Sequence, residues 1–86
     1  MEYYLAVYSS VTLANRIKKN IPWDGDYIGV IYAPRSLTKG GCSHALRFKK
    51  AKLFTVRQLS QEMGIKIRGL YKETTVEGKK EYQEIQ

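Results

Sequence analysis

Apolar residues along this chain first alternate, then recur every three or four positions, and the two rhythms trade places along its length. Positions 3–8 are aromatic and aliphatic throughout, with Leu5 and Val7 on one side and Tyr4, Ala6 and Tyr8 on the other. This predicts a strand buried on both faces or nearly so. Ser9 and Ser10 follow, residues whose hydroxyls accept backbone N–H bonds at a helix start. Leu13, Ala14 and Ile17 then fall at helical spacing and Asn20 is a plausible stop. Pro22-Trp23-Asp24-Gly25-Asp26 has the composition of a turn. Positions 27–33 form a second apolar strand, which Pro34 ends because it lacks an N–H donor.

Positions 35–41 are predicted to be a loop, and Leu46 and Phe48 alternating with Ala45 and Arg47 mark a short strand over 43–48. Leu53, Val56, Leu59 and Met63 trace a second helical stripe, closed by Gly64 in the left-handed conformation. Ile65, Ile67, Gly69 and Tyr71 alternate with Lys66, Arg68, Leu70 and Lys72 and predict a last strand with a mainly polar outer face. From Glu73 onward the pattern fades, so 1–72 is expected to be the domain and 73–86 a polar tail or a weak extra strand around Gly78. The order strand, helix, strand, strand, helix, strand is the split arrangement of ferredoxin-like folds. The expected architecture is α+β: a βαββαβ two-layer sandwich, a four-stranded antiparallel sheet with two helices on one face. The other face is expected to stay open unless a second copy covers it, which favours a homodimer through the sheet or an edge.

Composition narrows the class. The 86 residues make one small domain, and an apolar content of 43% with 27% charged residues reads as folded. A single cysteine excludes an internal disulfide, and no apolar run approaches the length of a membrane span. These features point to a reducing cytoplasm and no membrane.

Charge singles out one stretch. The net charge is +7, and no acidic residue lies between Asp26 and Glu62. That window holds Arg35, Lys39, Arg47, Lys49, Lys50, Lys52 and Arg57, while the remaining eight basic and eight acidic residues cancel. Such a window attracts anions: phosphate, nucleic acid or an acidic protein face. It also surrounds Cys42, the lone thiol, which follows Gly40 and Gly41. A thiol reacts as the thiolate, which nearby positive charge favours. Arg35, Lys39 and Arg47 could supply that charge, and the Gly40-Gly41 backbone could turn its N–H groups toward an anion. His44, two residues from Cys42, would share its face of a strand and could move a proton to or from the sulfur. Equally, Cys42 could be a small buried residue and His44 an ordinary strand position. One cysteine and one histidine are too few for a structural zinc site, and no metal or cofactor is implied. The seven tyrosines suit a core or an interface. The lysine/arginine-glycine-aromatic signature of RNA-binding sheets does not occur in the predicted third strand.

The run Pro34-Arg35-Ser36-Leu37, followed by Cys42, Ala45, Leu46, Arg47 and Phe48, resembles a bacterial family of small domains described as selenium/sulfur carrier-like. Some of its members are similar to domains joined to SirA-like proteins of selenium metabolism. Gly64-Ile65 leading into the last strand is also similar, and the likeness extends over about residues 3–71. The family pattern often has glycine directly after the cysteine; here Ser43 stands there and the glycines precede it. The resemblance implies a carrier that holds a persulfide or selenide on Cys42 and passes it from donor to acceptor proteins. Such a protein is a carrier or binding protein rather than a turnover enzyme. Two alternatives stay open: a basic nucleic-acid-binding module, the less favoured, and an anion- or partner-docking module with an inert cysteine.

Overall fold

In the computed structural model, which describes residues 2–22, 25–37 and 44–85, five antiparallel strands form one sheet with two helices on one side. The strands are β1 (Tyr3–Tyr8), β2 (Ile28–Tyr32), β3 (His44–Lys49), β4 (Gly69–Val76) and β5 (Lys79–Glu84). Helix α1 (Val11–Lys19) joins β1 to β2, and α2 (Leu53–Glu62) joins β3 to β4. The sheet order is β2-β3-β1-β4-β5. The first four strands therefore take the arrangement of the ferredoxin-like split, with β1 central between β3 and β4.

The local signals behind these elements are physical. Ser10, in extended conformation, accepts the Leu13 N–H on its Oγ at 3.3 Å and starts α1. Arg16, Lys18 and Lys19 crowd the last turn, where the helix dipole favours cations. Asn20 ends it, its side-chain amide donating to the Arg16 carbonyl at 2.8 Å. Gly64 takes a φ of +67° just after α2, a conformation costly for a residue with a Cβ.

The core lies between the helices and the sheet. Tyr4, Ala6 and Tyr8 of β1, Leu46 and Phe48 of β3 and Leu70 of β4 pack on Ala14 and Ile17 of α1 and Val56 of α2. Removing an aliphatic or phenyl side chain from water contributes about 1.5–3 kcal/mol. Tyr8 reaches through this layer to donate or accept a 2.7 Å hydrogen bond with the Ser60 hydroxyl on α2. Both groups are buried, so each answers the other's need for a partner.

Three expectations are corrected. The sheet has five strands, not four. Glu77 and Gly78 both take positive φ, which makes the tight two-residue turn that returns β5 along β4. Strand β5 is polar because it is an edge strand, held by backbone pairing and anchored by Tyr82 on one face.

The last core-directed strand also starts later than the alternation suggests. Pairing begins at Gly69, opposite Val7, after Arg68 N–H donates to the Val7 carbonyl at 2.7 Å. Residues 65–67 would need Ser9 and beyond as partners, but there the chain has turned to cap α1. Ile65 and Ile67 instead fill the helix-side core, while Gly69 and Tyr71 fall on the other face.

Finally, the second face is not open within the single chain. Leu5, Val7 and Ala45 are at most 1% exposed there. Ile31, Ala33 and Leu37 from β2 and the segment after it, with Tyr71 and Tyr82, pack across them.

Candidate functional site

Of the chemistry-bearing residues singled out in the sequence, Arg35, His44 and Arg47 are described, and the fold turns His44 and Arg47 to opposite faces of the sheet. Lys39, Gly40, Gly41 and Cys42 lie outside the described residues. The flanking residues define where that segment is tethered. It leaves from Leu37, the end of a short 3₁₀ turn over Arg35–Leu37, and rejoins at His44, the first residue of β3. The turn is closed by the Leu37 N–H donating to the Pro34 carbonyl at 2.9 Å. Both tethers sit at one end of the sheet, because His44 pairs with Tyr32 at the end of β2 and with Tyr8 at the end of β1. Tyr8 is two residues before the Ser10 cap, so the amino terminus of α1 opens at this same end. Unsatisfied N–H groups at a helix start carry partial positive charge.

His44 is half-buried and faces the same side of the sheet as Tyr8 and Tyr32. Its ring lies 4.9 Å from that of Tyr32, centre to centre, tilted by 36°. Tyr32 is 79% exposed, so this pair presents an aromatic surface at the rim of this end of the sheet. Arg35 is exposed on the 3₁₀ turn and is engaged in an interaction of its own.

Arg47 is placed elsewhere. It faces the side of the sheet opposite His44, three residues further along β3. Its Nη2 and Nε donate to Glu73 Oε1 at 2.8 and 3.2 Å, and the Glu73 side chain is only 4% exposed. The guanidinium carbon also stands 3.8 Å from the Tyr3 ring centre and 5.6 Å from that of Tyr27. Partial burial pushes the guanidinium down, but the Glu73 hydrogen bond and charge, with Tyr27 adding, outweigh it. Arg47 therefore titrates above its ordinary range. Tyr82 completes the cluster: burial pushes its hydroxyl up, the Glu73 charge and hydrogen bond push it further, and Arg47 partly opposes. The charge expected to steady a thiolate is here committed to a carboxylate, so Arg47 holds the second face together.

The acid-free window likewise does not fold into one patch. Lys49 approaches Asp26 at 3.9 Å. At roughly 3.3 Å per strand residue, Lys49 lies about 17 Å along β3 from His44, and Lys50 and Lys52 follow it at that far end. Of the window's described cations, only Arg35 belongs to the segment between β2 and β3. Among the described residues, no three His, Cys, Asp or Glu side chains converge as metal ligands. No helix among them is long and apolar enough to cross a membrane.

Comparison with known proteins adds what the geometry alone does not. The family model described as "Putative Se/S carrier protein-like" matches residues 3–72. The chain belongs to this Se/S carrier-like family. No curated protein and no solved structure matches it. The matched stretch runs from β1 into β4 and takes in the whole segment between Leu37 and His44. In this member of the family, Glu73 and the β5 hairpin lie just beyond the match, yet Glu73 is the carboxylate that Arg47 donates to and Tyr82 hydrogen-bonds that same carboxylate.

Sequence reasoning did not single out Glu73 or Ser60. Glu73 sat in an apparent polar tail, although its place one residue after the alternation, with a basic residue in a neighbouring strand, was a usable signal. Ser60 lies four residues after Val56, on the buried stripe of α2, and a buried tyrosine is the partner such a position needs.

Proposed function

We propose that this protein is a sulfur or selenium carrier that works through Cys42. The observation that supports the reading is the family match, which spans the chain's single cysteine. In the transfer, the Cys42 thiolate attacks the terminal sulfur of a donor persulfide. The sulfur–sulfur bond of the donor breaks, Cys42 becomes a persulfide, and the donor leaves as its thiolate. An acceptor nucleophile then takes the terminal sulfur and Cys42 returns to the thiolate, so no external oxidant or reductant is consumed. The selenium version follows the same course with a selenium atom in the terminal position.

Arg35 and Lys39, with the Gly40-Gly41 backbone, are the groups proposed to steady the anion, and His44 the proton partner. The end of the sheet where Tyr32 and Tyr8 pair with His44 suits this work, since β1 hands over to the amino terminus of α1 there. Incubation with a cysteine desulfurase and cysteine, followed by intact mass measurement, tests the proposal. The expected result is a gain of one sulfur on wild type and none on Cys42→Ala. Equal gain on both, or none on wild type, would sink it. A nucleic-acid reading predicts binding that falls steeply with salt and survives loss of Cys42.

A further inference from the structure

Helix α2 carries a feature that neither the core nor the sulfur chemistry uses. Its buried stripe is Val56 and Ser60, yet Phe54 stands 74% exposed on another side. Beside it runs a groove of about 480 Å³ lined by Leu53, Phe54, Arg57, Gln58 and Gln61. Arg57 is also a wall of a second, adjoining cavity of about 240 Å³ in which Arg68 and Glu84 take part. Among the described residues, neither Arg57 nor Arg68 is held in an ion pair, and Glu84 reaches neither of them. Lys50, exposed, precedes the helix. From Lys50 to Gln61 there is no acidic residue, and Glu62, the first, is hydrogen-bonded by Gln58.

We propose that this face of α2 docks an acidic protein segment, which places an apolar side chain in the groove beside Phe54 and its carboxylates against Arg57 and Arg68. An exposed phenyl group beside a concave apolar surface is the anatomy of an interface anchor. Uncommitted arginines at its rim select a partner of opposite sign. A second copy of this chain is a poor occupant, because it would bring the same unpaired cations face to face. The proposal does not depend on Cys42, and the two stand or fall separately.

The test is fluorescence anisotropy of the full chain with a labelled amphipathic helical peptide that presents glutamates beside leucine and phenylalanine, and with its glutamine counterpart. The acidic peptide is expected to bind at least about tenfold more tightly than the neutral one. Phe54→Ala alone, and Arg57→Glu with Arg68→Glu, are each expected to weaken it by about tenfold or more. All these positions are exposed, and unchanged thermal unfolding verifies that the variants fold. Arg16→Glu with Lys19→Glu makes the same charge change on the exposed side of α1, and is expected to leave binding within about twofold. Absence of binding, equal affinity for the neutral peptide, or an equal loss from the α1 pair overturns the proposal. So does tighter, Phe54-dependent binding of a duplex oligonucleotide, or self-association that Phe54→Ala abolishes.

Discussion

The two faces of the sheet are both buried but are built by different rules. On the helix side, Tyr4, Ala6, Leu46, Phe48 and Leu70 meet two amphipathic helices, and the polar contact that crosses the layer is the Tyr8–Ser60 hydrogen bond. On the other side there is no α-helix among the described residues. Leu5, Val7 and Ala45 are covered by side chains of the sheet's own strands and by Leu37, and the cover continues into Arg47, Glu73, Tyr3, Tyr27 and Tyr82. The first face is stabilised by removing apolar area from water. The second relies on a partly wet ion pair, whose Coulombic gain is offset by desolvation, and on the Arg47 guanidinium over the Tyr3 ring with Tyr27 edge-on to it. The comparison teaches that a small chain can close a second sheet face without a second helical layer or a second copy, given long side chains that carry their own polar partners.

The largest expected effect breaks the helix side. Phe48 is fully buried and stacked on Tyr4 at 6.3 Å between ring centres. Phe48→Ala is expected to destabilise by about 3–5 kcal/mol in denaturant unfolding. A loss under 1 kcal/mol would mean this face is not the dominant core.

Next comes the charge pair. Glu73→Gln leaves the Arg47 guanidinium, only a fifth exposed, without its carboxylate. The expected cost is about 2–3 kcal/mol, moderated by the solvent that Arg47 still reaches. The apolar pair Arg47→Met with Glu73→Leu is expected to recover most of it. If the double variant is as unstable as the sum of the two single changes, the pair is more than a replaceable filler.

A smaller effect is expected at Gly29, which pairs with Arg47 across the strands and lies under the Tyr27 ring. A Cβ there would land on the hydroxyl end of Tyr27, so Gly29→Ala is expected to swing that ring away from Arg47. The expected loss is about 1 kcal/mol, and crystallography or NMR would report the displaced ring. An unmoved Tyr27 would refute the packing described.

The smallest effect is in alkaline solution. Burial raises both Tyr8 and Tyr82 above the ordinary phenol value of 10.0, with Ser60 partly opposing at Tyr8 and Glu73 reinforcing at Tyr82. A raised folded value means that the native state holds its proton longer. The associated stability is therefore full below pH 10 and lost as pH rises through the folded values. Spectrophotometric titration of Tyr8→Phe and Tyr82→Phe is expected to remove one late-titrating phenol each, and alkaline unfolding should flatten. A titration unchanged in both variants would contradict the burial assignments.

Much of this molecule can be read from local patterns. β1, both helices, the Ser10 cap and the glycine stop at Gly64 were legible because each rests on neighbours within a turn or a strand of sequence. Cys42 and its glycines, and the likeness to the Se/S carrier-like family, were legible for the same reason. The fifth strand was harder, since an edge strand needs only backbone pairing and its side chains remain polar. The role of Arg47 was not legible at all. Glycines and cations that are neighbours in sequence suggest a common site, but β-strand alternation turns Arg47 and His44 to opposite faces.

By itself, then, the amino-acid order determined the periodicities, the caps and the place of the lone thiol, because these are short-range consequences of side-chain shape and backbone hydrogen bonding. Only the tertiary structure decided which partner each polar group takes. It sent Arg47 to Glu73, 26 residues away, and Tyr8 to Ser60, 52 residues away. It divided one acid-free window between two faces and two ends of the sheet. The physical reason is that pairing of buried charges and hydroxyls is settled by proximity and desolvation in three dimensions, and neither quantity is written at any single position of the chain.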